Sequence, residues 1–171
     1  LVSFSALNPD WTSRWSTYLS ANAGAAATLT GLVFIGISIN LAKIISSPAI
    51  TKRAAESIVQ FMGAFIVSII LLIPGRTLHA AGEELLFLGL FLWLSQLAFQ
   101  IGTSLRSIGH SRFRFLIRIS LGQMATVPFV LAGASFLLGS PDGFNWLVLG
   151  LLSSFVAGVV GAWVLLVEII R

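Results

Sequence analysis

Residues 23–42, AGAAATLTGLVFIGISINLA, carry no charged side chain and are long enough to cross a bilayer as a helix. At about 100° per residue, Gly24, Ala27, Thr28, Gly31, Ser38 and Ala42 fall on one side, with Ile35 the only bulky member. Leu32, Val33, Phe34 and Ile37 cover much of the rest. A face of small residues lets another helix backbone come close, and such faces drive helix association in lipid. The stretch is therefore expected to be a membrane helix built to pack. Gly24, Thr28, Gly31 and Ser38 form its candidate packing or pore-lining face.

The rest of the chain has the same character. Hydrophobic residues make up 57% and charged residues only 9%, against roughly 25% charged in soluble domains. Mean hydropathy is +0.98. Four further apolar runs follow, at about residues 56–73, 85–105, 117–138 and 146–170, and the first extends over about 23–45. Helix breakers separate them: Ser46-Ser47-Pro48, Pro74-Gly75 and the turn Gly139-Ser140-Pro141-Asp142-Gly143. The expected fold is all-α, a single five-helix transmembrane domain over residues 22–171. Ahead of it, Asn8-Pro9-Asp10 reads as a helix start, and Trp11, Trp15 and Tyr18 recur at i, i+4 and i+7. Aromatic residues with a polar edge favour the membrane–water boundary, so residues 1–21 are expected to be an outer interfacial amphipathic segment. The first twenty residues lack a basic region followed by an apolar core, so no secretory leader is expected. Leu1 is not a start methionine, which leaves room for residues upstream.

Charge placement sets an expected orientation. Arg14 and Arg76 fall on the side of the N-terminus, while Lys43, Lys52, Arg53, Arg106, Arg112, Arg114, Arg118 and Arg171 fall on the other. The positive-inside rule puts the second side in the cytoplasm, with the N-terminus outside and the C-terminus inside. The net charge of +4 is thus explained by topology, and nucleic acid is not an expected partner. Arg106, Arg112, Arg114 and Arg118, interleaved with Phe113 and Phe115, are candidate contacts for anionic lipid on the cytoplasmic side.

Candidate chemistry is sparse. Gln96, Gln100 and Thr103 form a polar stripe on the third span, and Gln123 lies at the same depth on the fourth. Amides in a bilayer need partners, so these either border a water-filled vestibule or bond between helices. Gly150, Ser154, Gly158 and Ala162 repeat every four residues on the fifth span, a helix-packing pattern. Glu168 near its end is a candidate ion-pair partner. His79 and Glu83, four apart with Glu84 beside them, resemble half a metal site, but solvated loop residues are the expected reading. There is no cysteine, and HExxH, GxSxG, Walker A and GxGxxG motifs are absent. Neither a cofactor, a bound metal nor an enzymatic activity is expected.

The run at residues 24–41 together with the ending AWVLLVEIIR at residues 162–171 resembles a class of small bacterial integral membrane proteins of uncharacterised function. The resemblance implies a multi-pass protein of the bacterial cytoplasmic membrane and brings no catalytic residues with it. The functional expectation is a small homo-oligomer that forms a channel or pore for ions or small solutes. The alternative is a non-transporting accessory or regulatory subunit that packs against another membrane protein.

Overall fold

The computed structural model describes residues 10–104 and 112–170, apart from the side chains of residues 10, 12, 49, 101–104, 112–118 and 168–170. They form α1 (Asp10–Ile39), α2 (Leu41–Ser46), α3 (Pro48–Leu71), α4 (Leu78–Ser104), α5 (Arg112–Leu137) and α6 (Gly143–Ile170). No strand occurs among the described residues. All of these helices except the short α2 are long and apolar enough to cross a membrane: Ser13–Ile39, Ile50–Leu71, Leu78–Gln100, Ile119–Leu137 and Gly143–Val167. The protein is an all-α membrane bundle. The expected Asn8-Pro9 helix start lies outside the described residues.

The first helix differs from expectation at its end. At its start, the expected interfacial segment and the span that follows it are one continuous helix from Asp10 to Ile39. Its aromatic residues turn into the bundle. Trp15 stacks on Phe144 of α6 with ring centroids 4.6 Å apart, and Phe144 in turn meets Phe136 of α5 at 4.8 Å. Trp11 and Leu19 are buried in the same cluster. At 1.5 Å per residue α1 is about 45 Å long, more than the ~30 Å apolar layer, so it tilts or projects beyond it. It stops at Asn40, where the side chain Nδ2 donates to the Gly36 carbonyl at 2.9 Å. Asn22 makes the same bond to the Tyr18 carbonyl without interrupting α1, so the break lies in the Asn40 backbone, at φ −109° and ψ 21°. The Asn40 carbonyl then accepts from the Lys43 and Ile44 N–H groups and starts α2. Residues 41–46, expected as the tail of the first span, are thus a separate turn of helix.

Pro48 stands at the first position of α3, where its missing N–H costs nothing. Thr51 Oγ1 ties this start back to the Ile44 carbonyl at 2.7 Å. Gly75 and Gly139 take positive φ in the two turns at the opposite end of the bundle, a conformation that glycine adopts without a Cβ penalty. In the second of these turns, Ser140 N–H reaches the Ser135 carbonyl and closes α5.

Helices α3, α4, α5 and α6 form a closed ring in that order, each packed on the next, and α1 lies outside it against α3. The tightest seam is α4 on α5. A Cβ on Gly133 would lie 2.5 Å from the Leu86 backbone nitrogen, and one on Gly89 would lie 2.9 Å from that of Val130. Here the two backbones touch. The seams of α6 are instead rings set into glycine gaps. A Cβ on Gly150 would lie 2.8 Å from the Phe129 ring, and one on Gly158 would lie 2.6 Å from that of Phe61. Dispersion across such contacts holds helices together where lipid is as apolar as the protein.

The seam makes a prediction. Gly133→Ala should destabilise the bundle by about 1–3 kcal/mol, because the obstructing atoms are backbone and cannot rotate away. Gly36→Ala should be neutral or stabilising by up to about 1 kcal/mol, since nothing lies within 4 Å of its Cβ position and alanine favours helix. Unfolding of the purified protein by sodium dodecyl sulfate in mixed micelles measures both.

Candidate functional site: an amide network between three helices

Toward the end of the bundle that carries Lys43, Lys52 and Arg53, side chains from α3, α4 and α5 meet in one polar cluster. Gln60 Nε2 donates to Gln96 Oε1 at 3.1 Å. Gln96 Nε2 donates to Glu56 Oε1 at 2.7 Å. One turn further along α4, Gln100 Oε1 accepts from Gln123 Nε2 at 3.3 Å. Gln123 Oε1 in turn accepts from the Trp93 indole N–H at 2.7 Å. Gln60, Gln96 and Gln100 are all buried. The cluster therefore links α3 to α4 through Gln96, and α4 to α5 through Gln123.

The backbone makes room for these amides at Gly122. A Cβ there would lie 2.5 Å from Gln100 Nε2 and would also strike the Gln96 amide. Thr126 Oγ1 returns its proton to the Gly122 carbonyl at 3.0 Å, so it takes no part in the cluster. Across α6, Ser154 Oγ donates to the Ala125 carbonyl of α5 at 3.0 Å. Beside Glu56, Ser57 is buried against Gly161, and its hydroxyl has no hydrogen-bond partner.

Of the polar stripe, the structure brings Gln96, Gln100 and Gln123 together as bonded pairs between helices, and no vestibule is lined by them in the two cavities described below. The Thr103 side chain lies outside the described residues. Glu56 is not at a helix end. It sits within the candidate span of α3 and faces Gln96. Gln60, Trp93 and Gly122 are members that sequence reasoning did not single out. For Gln60 a usable signal existed: it stands four residues after Glu56, on the same face of α3.

The other candidates separate into inward and outward sets. On α6, Gly150, Ser154 and Gly158 are buried seams, while Ala162 is half-buried beside a groove. On α1, Gly24, Thr28, Gly31 and Ser38 are all exposed, on the side of the helix opposite buried Ala26. Nothing lies within 4 Å of a Cβ at Gly24 or Gly31. Thr28 donates to the Gly24 carbonyl and Ser38 to the Phe34 carbonyl, both at 2.8 Å, so the face satisfies its own hydroxyls. Arg106 lies outside the described residues, as do the side chains of Arg112, Arg114, Arg118 and Glu168. At the far end, Glu84 pairs with Arg76, leaving His79 and Glu83 as an exposed pair 3.5 Å apart.

Two apolar cavities flank α1. One of about 400 Å³ lies toward α3, between Gly31, Phe34, Met62 and Phe65. The other, of about 280 Å³, lies toward α6, with Phe61 as its floor.

If the network holds helices together, the Gln60 and Gln96 side chains are energetically coupled. A double-mutant cycle with Gln60→Leu and Gln96→Leu should give a coupling of about 0.6 kcal/mol, with about 1.7 as the ceiling for such pairs in membranes. Gln96→Leu alone should cost more than Gln60→Leu, because it also strips the donor from Glu56. Zero coupling in the cycle would remove the Gln60–Gln96 bond from the account.

No family model, curated protein or solved structure matches this chain.

Proposed function

We propose that this protein is a non-transporting membrane assembly subunit that associates through the outward face of α1, with a second copy of the chain as its first partner. The observation that carries this reading is the contrast between glycines. Those of α4, α5 and α6 seat a neighbouring helix or ring, whereas Gly24 and Gly31 meet nothing. Glycine in a helix interior costs about 1 kcal/mol relative to alanine, and close approach of another backbone is what offsets it. Hydroxyls that bond back to their own helix make the face suited to a dry contact. The small, open surface at Gly24, Thr28 and Gly31 admits another backbone, and Ile35 adds apolar contact further along.

A channel through the bundle gains no support from the cluster, because its amides bond one another. A pore between subunits, bordered by α1, is the remaining form of the transport reading. The basic asymmetry of the loops and the resemblance of residues 24–41 support a place in the bacterial cytoplasmic membrane with the C-terminus inside. Arg106, Arg112, Arg114 and Arg118 would then meet anionic lipid on that side.

The chain has no cysteine, so single cysteines report proximity cleanly. Gly24→Cys and Thr28→Cys should each give a disulfide-linked dimer on oxidation in lipid, since a symmetric crossing there brings paired Cβ atoms within about 4 Å. Phe87→Cys, on the exposed face of α4, should stay monomeric. Gly31→Leu should weaken Thr28→Cys cross-linking by about tenfold, a change of about 1.4 kcal/mol. Monomers in every case would overturn the assembly reading. Ion flux in liposomes that is abolished by Gly31→Leu would replace it with the pore.

A further inference from the structure

Helix α5 carries Pro128 inside its length. Proline has no N–H, so the Met124 carbonyl one turn earlier loses its helix donor, and the pyrrolidine crowds that turn. Two side-chain bonds fall at the same place. Thr126 Oγ1 donates back to the Gly122 carbonyl at 3.0 Å, a type of bond that bends helices. The Ala125 carbonyl accepts from Ser154 Oγ of α6 at 3.0 Å. A neighbouring helix thus supplies a donor beside the break, which is how proline is tolerated in membrane helices. Over residues 122–128 the backbone ladder of α5 is weakened and leans on side chains.

The interactions on the two sides of this stretch differ in kind. Beyond Pro128, α5 is held by its main chain. A Cβ on Gly89 would lie 2.9 Å from the Val130 nitrogen, and one on Gly133 would lie 2.5 Å from that of Leu86. Before Pro128, side-chain hydrogen bonds tie α5 to α4. Gln123 Nε2 donates to Gln100 Oε1 at 3.3 Å, and the Trp93 indole donates to Gln123 Oε1 at 2.7 Å. Gly122 lies against the Gln96 and Gln100 amides with no room for a Cβ. A main-chain seam opens only if the helices part. Hydrogen bonds exchange for water at little net cost, and Gln100 stands at the last position of the α4 span, where water begins.

We propose that α5 is hinged at Pro128, and that the half before it is an arm, latched by Gln123, which opens to admit water to Gln96, Gln100 and Glu56. Closed, the arm lays Gly122 over the amides. Open, it removes that cover while the half beyond Pro128 stays seated on α4. The outward face of α1 takes no part, so the hinge and the assembly reading stand or fall separately.

The full chain has no cysteine, so spin labels can be placed on introduced pairs and their separation measured by pulsed electron paramagnetic resonance in lipid nanodiscs. Ser46→Cys with Ser120→Cys reports the arm, and Ser46→Cys with Leu138→Cys reports the half beyond the hinge; all three positions are exposed. Gln123→Leu removes two hydrogen bonds and should raise the share of a second, longer distance in the arm pair about eightfold. Trp93→Phe removes one and should raise it about threefold. The other pair should not change. Adding Pro128→Ala to Gln123→Leu should return the arm pair to a single distance. Unaltered arm distances in both latch variants would overturn the proposal. So would new distances in both pairs together, which is general loosening, or a second arm distance that survives Pro128→Ala.

Discussion

Everything in this bundle depends on the backbone contact between α4 and α5. Between helices in lipid there is no hydrophobic drive, so distance decides whether they hold. At Gly133 and Leu86 the two main chains touch, and that closeness sets the spacing of the ring for the whole length of the seam. It also explains the amide cluster. Gln96 and Gln100 reach the level of Gly122 with no Cβ in their way. They can then find Gln60, Glu56 and Gln123 rather than a neighbouring apolar side chain. The polar network is thus a consequence of glycine packing, and it becomes affordable inside an apolar ring because each amide is presented to another.

The two small-residue faces seen in the sequence have opposite fates, and this marks the limit of what was legible. Gly150, Ser154 and Gly158 seat Phe129, the Ala125 carbonyl and Phe61. Gly24, Thr28 and Gly31 seat nothing within the chain. Periodicity alone cannot separate the cases, since both read as small residues on one face. The difference is topological: α6 sits between α5 and α3 in the ring, whereas α1 packs mainly on α3 and meets α6 chiefly through Trp11 and Trp15. The five apolar spans were legible because length and charge depletion are local properties. Their limits near Asn40 were not, because α1 ends there in a backbone turn at Asn40 (φ −109°, ψ 21°) that apolar residues continue straight through.

The aromatic residues near the start were legible as a helix, but what they pack against was not. Trp11, Trp15 and Tyr18 have the amphipathic shape that favours an interface. Their partners Phe136 and Phe144 are more than a hundred residues away, so no local window contains them. Glu56 was similarly ambiguous. Beside Lys52 and Arg53 it reads as part of a charged helix start, yet the helix begins at Pro48 and the candidate span at Ile50. Within that span its carboxylate accepts from Gln96, which comes from another helix.

The helix least committed to the fold is α1, whose apolar window is the least buried of the five. It is pinned at one end by stacked aromatics and at the other by α2, and along its middle it offers a small-residue face flanked by two apolar cavities. A helix held at its ends and open in the middle presents surface without loosening the ring behind it. The ring carries the polar bonds and the backbone contacts, and α1 carries the surfaces left over. Binding at those surfaces need not disturb the amide cluster, since Phe61 and the rest of α3 stand between them. That division of labour is the physical reason to look for partners at α1 and for stability in α3 through α6.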